Sequence, residues 1–88
     1  MITKKVILNN EVGLHARPAA LFVQTANKFT SDVYIELKGI RVDGKSIMGV
    51  MSLGAFNGEE IILIVDGEDE KEASEELAKL VEYGLQDA

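Results

Sequence analysis

The stretch Asp32-Val-Tyr-Ile-Glu-Leu-Lys-Gly-Ile-Arg-Val-Asp43 decides the fold, because it predicts two short strands joined by a tight turn. The strands are expected over 32–37 and 40–43, and Lys38-Gly39 between them is typical of a β-hairpin. A hairpin in the middle of the chain favours an antiparallel sheet over the parallel sheet of repeated strand–helix–strand units.

Helices and strands are predicted on both sides of this hairpin. Upstream, residues 2–8 form a strand closed by Asn9-Asn10, and a helix over 16–28 carries Pro18 in its first turn. Downstream, Ser46 caps a short helix over 47–53, and the β-branched run 60–65 forms a central strand. Asp69 and Glu72 resemble a capping box that opens a last helix. The order βαββαβα predicts an α+β sandwich with helices on one face of an antiparallel sheet.

The apolar residues of the first and last helices follow helical spacing and are expected to face the core. These positions are Ala19, Phe22, Val23 and Ala26 in the first helix, and Ala73, Leu77, Leu80 and Val81 in the last.

Length and composition exclude several classes of protein. The 88 residues, 47% apolar and 27% charged, suit one globular domain over residues 1–88. No cysteine and one histidine leave no disulfide, no thiol nucleophile and no ligand set for a metal, so none is expected. The longest apolar run, 61–65, is too short for membrane insertion, and no export signal follows the N-terminus, so a cytoplasmic protein is expected.

Charge is divided unevenly along the chain. Residues 1–58 hold seven basic and four acidic residues, whereas residues 59–88 hold two basic and eleven acidic ones. The net charge of −6 argues against direct binding of nucleic acid, which needs a basic surface. The more basic part of the chain could still meet an acidic protein partner.

A phosphate-loop pattern occurs at Gly39-Ile-Arg-Val-Asp-Gly-Lys-Ser46 and raises the possibility of a nucleotide-binding enzyme. The β-branched Ile40 and Val42 resist the backbone conformations that cradle a phosphate, and the preceding strand alternates rather than being fully apolar. A chain of this length also cannot supply the parallel sheet of such enzymes. A hairpin strand followed by a helix cap is the favoured interpretation.

His15 lies at the predicted start of the first helix, directly before Ala16-Arg17-Pro18. The free amides of a helix's first turn form an anion site there, and Arg17 adds donors suited to phosphate oxygens. The positive helix end also disfavours a charged imidazole ring, which keeps a nitrogen lone pair available. A ring that accepts a phosphoryl group with no means of hydrolysing it acts as a carrier.

Apolar residues near this histidine suggest a surface for partner proteins. Helical spacing places the face with Arg17 opposite the core, and the short second helix has more apolar residues than its neighbours can bury. Methionine suits docking of more than one partner, although core positions for Met48 and Met51 are equally compatible with the pattern. The predicted docking residues are Ala20, Leu21, Gln24, Ile47, Met48 and Met51.

Two separated motifs, Gly13-Leu-His-Ala-Arg-Pro-Ala-Ala20 and Lys45-Ser-Ile-Met-Gly-Val-Met-Ser-Leu-Gly54, resemble HPr, the histidine-containing phosphocarrier of the bacterial sugar phosphotransferase system. The resemblance covers the whole chain and implies an open-faced sandwich with a four-stranded antiparallel sheet and three helices on one face. It implies that His15 takes a phosphoryl group from phosphorylated enzyme I through Nδ1 and passes it to enzyme IIA domains of sugar permeases. Ala16 and Arg17 would bind the phosphoryl oxygens, and Pro18 would fix the first turn.

The second motif resembles the version with a regulatory serine. The resemblance implies that Ser46 is phosphorylated by an ATP-dependent HPr kinase/phosphorylase, and that the phosphoserine form is a corepressor for a catabolite-control repressor. No cofactor is implied, the protein is a carrier rather than an enzyme, and a monomer is expected. Val12 departs from the family, which commonly has a small polar residue there.

An alternative of a different class is a regulatory binding module that works only through Ser46. Some HPr-like proteins have lost the histidine and act in this way. The presence of His15 argues against regulation as the sole role.

Overall fold

The predicted hairpin is present in the structure, a computed structural model that describes residues 1–85. Strands β2 (Asp32–Leu37) and β3 (Ile40–Asp43) pair in antiparallel fashion. The turn residues Lys38 and Gly39 have φ angles of 51° and 83°, the left-handed conformation that a two-residue hairpin turn requires. The phosphate-loop pattern therefore spans a turn, an edge strand and a helix cap.

Two further strands complete the sheet. Strand β4 (Glu60–Asp66) lies between β1 (Ile2–Ile7) and β2, so the strand order is β1-β4-β2-β3, and all neighbours are antiparallel. The central position predicted for the β-branched run 60–65 is confirmed.

Three helices complete the βαββαβα order: α1 (Ala16–Ala26), α2 (Ile47–Ser52) and α3 (Glu70–Lys79). A π-helical segment, Leu80–Gly84, continues α3. The positions predicted to face the core are buried, except that Leu80 is partly buried and packs against it. No helix in residues 1–85 has the length and apolar character needed to cross a bilayer.

The helices cover one face of the sheet. On the covered face, the core contains Val6 of β1, Ile35 of β2 and Leu63 of β4. On the other face, Thr3, Lys5 and Ile7 of β1 are exposed. The open-faced sandwich is therefore confirmed.

Some predicted boundaries are wrong by one or two residues. Strand β1 ends at Ile7 rather than residue 8, and α2 ends at Ser52 rather than residue 53. Helix α1 ends at Ala26 rather than residue 28, because the N–H groups of Lys28 and Phe29 bond to carbonyls only three residues back. Such tightened turns commonly end an α-helix.

Asp69 is the N-cap of α3, as predicted, but the predicted capping box with Glu72 is not formed. The Asp69 side chain makes no cap bond to α3. Its carboxylate accepts hydrogen bonds from the Ser31 hydroxyl and from the N–H groups of Thr30 (2.9 Å) and Ser31 (3.0 Å). These bonds, the Ser31 hydroxyl foremost, lower the pKa of Asp69 from 3.8 to about 2. Asp69 therefore fastens the start of α3 to the segment before β2.

Asp69→Asn is expected to lower the thermal unfolding midpoint at neutral pH, because an amide oxygen accepts these bonds less strongly than a carboxylate. Since the folded pKa lies below the ordinary 3.8, ionised Asp69 stabilises the fold above that pH, and this contribution is lost as the pH falls to about 2. Melting curves followed by circular dichroism should show that the difference in unfolding midpoint between variant and wild type narrows as the pH falls from 3.8 to about 2. Glu75→Gln, on the exposed face of α3, is the control. A gap that stays constant would contradict the prediction.

Candidate functional site

His15 is the N-cap of α1, and its imidazole is exposed. Its backbone is extended, with φ −77° and ψ −172°, and its carbonyl accepts from the Ala19 N–H at 2.8 Å. The side chain makes no capping hydrogen bond. The cap is thus formed by the backbone alone, and the ring remains available to a partner.

The first turn of α1 offers two unused backbone donors beside this ring. Pro18, at the third helical position, has no N–H, so the free amides after His15 are those of Ala16 and Arg17. Neither amide donates a hydrogen bond to another residue of the described range 1–85. The buried Pro18 fixes the turn that presents them. These donors and the positive helix end favour an anion at this point.

Arg17 is exposed and pairs with no carboxylate in the described part of the chain. It lines a shallow depression of about 360 Å³ with Ala20, Leu21 and Gln24. Gln24 is exposed as predicted. Ala20 and Leu21 are half-buried rather than exposed, and Leu21 packs against the core. The predicted exposure of Leu21 is therefore partly wrong, because its side chain packs against the core as well as facing solvent.

A second depression, of about 180 Å³, contains His15 itself and is mostly apolar. Its other lining residues are Val12, Leu14, Met51, Gly54, Ala55 and Phe56. Sequence reasoning placed Met51 near the site but missed the loop 54–56, which is held beside His15 by a bond from the Leu14 N–H to the Ala55 carbonyl (3.0 Å). One signal was available: Phe56 lies in a loop with no helical or strand pattern to bury it, and it is 67% exposed.

Helix α2 presents apolar side chains next to this depression. Val50 is buried, whereas Ile47, Met48 and Met51 are exposed, with Met48 at 78%. The structure therefore resolves the question left open by the spacing, because neither methionine belongs to the core. The exposed face of α2 and the depression at His15 share Met51 and form one surface.

Ser46 is the N-cap of α2, and this prediction is confirmed. Its hydroxyl oxygen accepts from the Gly49 N–H at 3.1 Å. The side chain is half-buried rather than enclosed.

Ser46→Ala is expected to destabilise the protein by about 1 kcal/mol, because the Gly49 N–H loses its acceptor. For a domain of this size, the unfolding midpoint should fall by roughly 4–8 °C. Ser46→Asp is the matched variant, since its carboxylate can accept the same N–H, and it should retain most of the stability. Equal midpoints for Ser46→Ala and wild type would show that the cap contributes nothing.

The chemistry available at this site is that of a nucleophile next to an anion-binding turn. The exposed imidazole of His15 can attack an electrophilic phosphorus, and the amides of Ala16 and Arg17 and the Arg17 guanidinium can bind the oxygens. In residues 1–85, no group of three or more His, Asp or Glu side chains is placed to hold a metal ion.

A comparison with models of protein families identifies the family of this chain. The family model described as "PTS HPr component phosphorylation site" matches residues 2–83. The chain belongs to the HPr family. HPr proteins are phosphocarriers, and the resemblance inferred from the two motifs is confirmed.

The HPr-like protein Crh of Bacillus subtilis is one curated relative. It is 56% identical over 82 residues, which cover 93% of this chain and 96% of Crh. This likeness also places the chain in the HPr family.

Solved HPr-family structures have the same fold. A phosphocarrier HPr from Bacillus anthracis superimposes with a TM-score of 0.89 at 48% identity, covering 92% of this chain and 96% of its own. A crystal structure of Bacillus subtilis Crh gives a TM-score of 0.76 at 57% identity, covering 92% and 93%, and is described as a dimer with a swapped domain. That dimer conflicts with the expectation that an HPr-family protein such as this one is a monomer.

Proposed function

We propose that this HPr-family chain accepts a phosphoryl group from phosphorylated enzyme I on His15 and passes it to enzyme IIA domains of sugar permeases. The observation that carries the proposal is the exposed imidazole of His15 at the start of α1, beside the unused amides of Ala16 and Arg17. The protein is a carrier, not an enzyme with a substrate of its own. It acts as one domain over residues 1–88, in the cytoplasm.

The transfer step is an exchange of one nitrogen–phosphorus bond for another. The Nδ1 lone pair of His15 attacks the phosphoryl group, the bond to the donor's histidine breaks, and its electron pair returns to that ring. The amides of Ala16 and Arg17 donate hydrogen bonds to the oxygens of the incoming group, and the Arg17 guanidinium neutralises their charge. The helix terminus contributes about 0.3–1 kcal/mol toward that anion. No residue of the proposal activates water, so the group persists until the next protein takes it.

The partner proteins dock on the apolar surface around His15. This docking surface consists of the exposed faces of α1 and α2. The docking residues in this proposal are Ala20, Leu21, Gln24, Ile47, Met48 and Met51. Arg17 and the excess of basic residues in 1–58 favour partners with acidic surfaces.

Incubation with enzyme I and phosphoenolpyruvate tests the proposal. We expect one phosphoryl group per chain, stable in alkali and lost in acid, and mapped to His15 by mass spectrometry of peptides. Addition of an enzyme IIA domain should then remove it. A chain that stays unmodified while an authentic HPr is phosphorylated in the same mixture would overturn the assignment.

A second candidate function is regulation through Ser46, and the likeness to Crh favours it, because one Crh structure is described as a catabolite-repression protein. In this function, an ATP-dependent HPr kinase/phosphorylase phosphorylates Ser46, and the phosphoserine form binds a catabolite-control repressor. The hydroxyl lies at the N-terminus of α2, where negative charge is tolerated, beside the exposed Ile47 and Met48.

The two functions are separated by single variants in a host that lacks its own copy of the gene. If carriage is the role, His15→Ala should stop sugar uptake and Ser46→Ala should leave it intact. If regulation is the sole role, His15→Ala should leave uptake intact and Ser46→Ala should release catabolite repression.

A further inference from the structure

We propose that Asn10 is a positioning residue for His15, and that its side chain ties the loop carrying this histidine to the C-terminal end of the fold. The proposal rests on the carrier function proposed above. The observations that carry it are the burial of Asn10 and its hydrogen bonds, none of which the sequence or the family resemblance pointed to.

Asn10 is a buried polar residue, 2% exposed, whose side chain is bonded through both its oxygen and its nitrogen. Its Oδ1 accepts from the Val12 N–H at 2.9 Å. Its backbone carbonyl accepts from the Gly13 N–H, also at 2.9 Å. The turn that leads into His15 is therefore closed by one residue, through side chain and backbone together.

The nitrogen of the same side chain reaches the far end of the sequence. Nδ2 donates to the Leu85 carbonyl at 2.6 Å, and the adjacent Asn9 N–H donates to the Val81 carbonyl at 3.3 Å. Leu85 directly follows the π-helical segment and is fully buried. A buried amide without this acceptor would carry the cost of desolvation without compensation. The Leu85 carbonyl therefore fixes the orientation of the side chain that shapes the His15 loop.

Asn10 also contacts the opposite wall of the depression that contains His15. Its backbone N–H donates to the Asn57 Oδ1 at 3.0 Å, and Asn57 directly follows Phe56, one of the lining residues. Val12, on the near wall, is held by the Asn10 oxygen. Both walls of the depression are thus hydrogen-bonded to Asn10, one through its backbone and the other through its side chain.

Loss of the Asn10 side chain should change the placement of His15 more than the docking of partners. The docking faces of α1 and α2 make none of the bonds described for Asn10. Phosphoryl transfer needs the ring within a narrow range of positions, and a misplacement of about 1 Å is enough to slow such a step by up to a hundredfold. A positioning role therefore predicts a lower kcat at an unchanged KM.

Transfer from phosphorylated enzyme I to the full chain, measured over a range of chain concentrations, tests this. We expect Asn10→Ala to lower kcat by about tenfold and to leave KM within about twofold of wild type. Asn10→Asp keeps the acceptor for the Val12 N–H but sets a carboxylate oxygen against the Leu85 carbonyl oxygen, so its kcat should fall as well. Ser31→Ala is the matched control, because Ser31 is equally buried and hydrogen-bonded but lies near the other end of α1. Its kcat should not change.

An unchanged kcat for Asn10→Ala would overturn the proposal, and so would a fall matched by Ser31→Ala or a change confined to KM. Amide hydrogen exchange tests the proposal without any measurement of phosphoryl transfer. The hydrogen-bonded amides of residues 12–14 should exchange roughly two- to tenfold faster in Asn10→Ala, with those of β2 and β3 unchanged. Exchange that is accelerated equally at all amides, or at none, would also overturn the proposal. Wild-type protein that fails to accept phosphate while the exchange result holds would refute the carrier function and leave the structural link of Asn10 intact.

Discussion

His15→Ala is expected to abolish acceptance of the phosphoryl group while leaving the fold unchanged. The ring is exposed, makes no capping hydrogen bond and caps α1 only through its backbone, which alanine retains. Substitutions at such surface positions change stability by about 0.5 kcal/mol or less. The loss of phosphoryl acceptance would therefore come from the missing imidazole and not from unfolding, since the chain has no other histidine to take the group. Labelling with enzyme I and phosphoenolpyruvate, together with a melting curve, measures both parts.

Arg17→Ala provides the graded comparison at the same turn. It removes the guanidinium but keeps the Arg17 backbone amide and the nucleophile, so transfer should slow by roughly tenfold rather than stop. Retention of an acid-labile adduct in His15→Ala would contradict the assignment of the nucleophile. Complete loss of transfer in Arg17→Ala would contradict the prediction that the guanidinium only assists in binding the phosphoryl oxygens.

Gly13→Ala is expected to cause the largest loss of stability among substitutions around the site. Gly13 has φ +71°, and a Cβ there would clash with the Ala55 carbonyl oxygen and lie 3.2 Å from the Phe56 Cα. Both neighbours are backbone atoms, so relief requires moving the loop 54–56 or breaking the bond from the Leu14 N–H to Ala55. The left-handed conformation adds a cost of its own. The clash and the backbone strain together should lower the free energy of unfolding by about 2–4 kcal/mol and the unfolding midpoint by roughly 10–25 °C.

Gly54→Ala is the matched control for this steric argument. Gly54 also has a positive φ, +61°, and lines the same depression, but a Cβ there would meet no atom within 4 Å. It should show only the conformational cost, about 1–2 kcal/mol. Similar midpoints for the two variants would show that the close approach of Gly13 to Ala55 is not a constraint. Hydrogen exchange of the Leu14 amide should be accelerated in Gly13→Ala alone.

The elements of the fold were predictable because their signals are local. Alternation around Lys38-Gly39 sufficed for the hairpin, and helical spacing identified Phe22 and Leu77 as core residues. The helix starts at His15 and Ser46 were also readable from neighbouring residues. The capping box at Asp69 failed because its carboxylate bonds instead to Ser31, a residue far away in sequence that no local pattern could identify.

The surroundings of the candidate site were less predictable for the same reason. The depression beside His15 depends on the bond between Leu14 and Ala55, and the loop before it depends on Asn10 and Leu85. These pairs come from opposite parts of the chain, and their register is set only once the sheet and helices have packed. The sequence predicts the candidate nucleophile, whereas its surroundings depend on the fold.

The π-helical segment Leu80–Gly84 sets the register between the end of α3 and the loop of His15. A π turn holds one residue more than an α turn in nearly the same rotation about the axis, so it absorbs that residue and keeps the Leu85 carbonyl opposite Asn10. If the same residues continued α3 as a regular helix, Leu85 would lie about 100° further around the axis and about 1.5 Å further along it, and its carbonyl would leave Asn10. A substitution that converts this π turn into an α turn would therefore disturb the loop of His15.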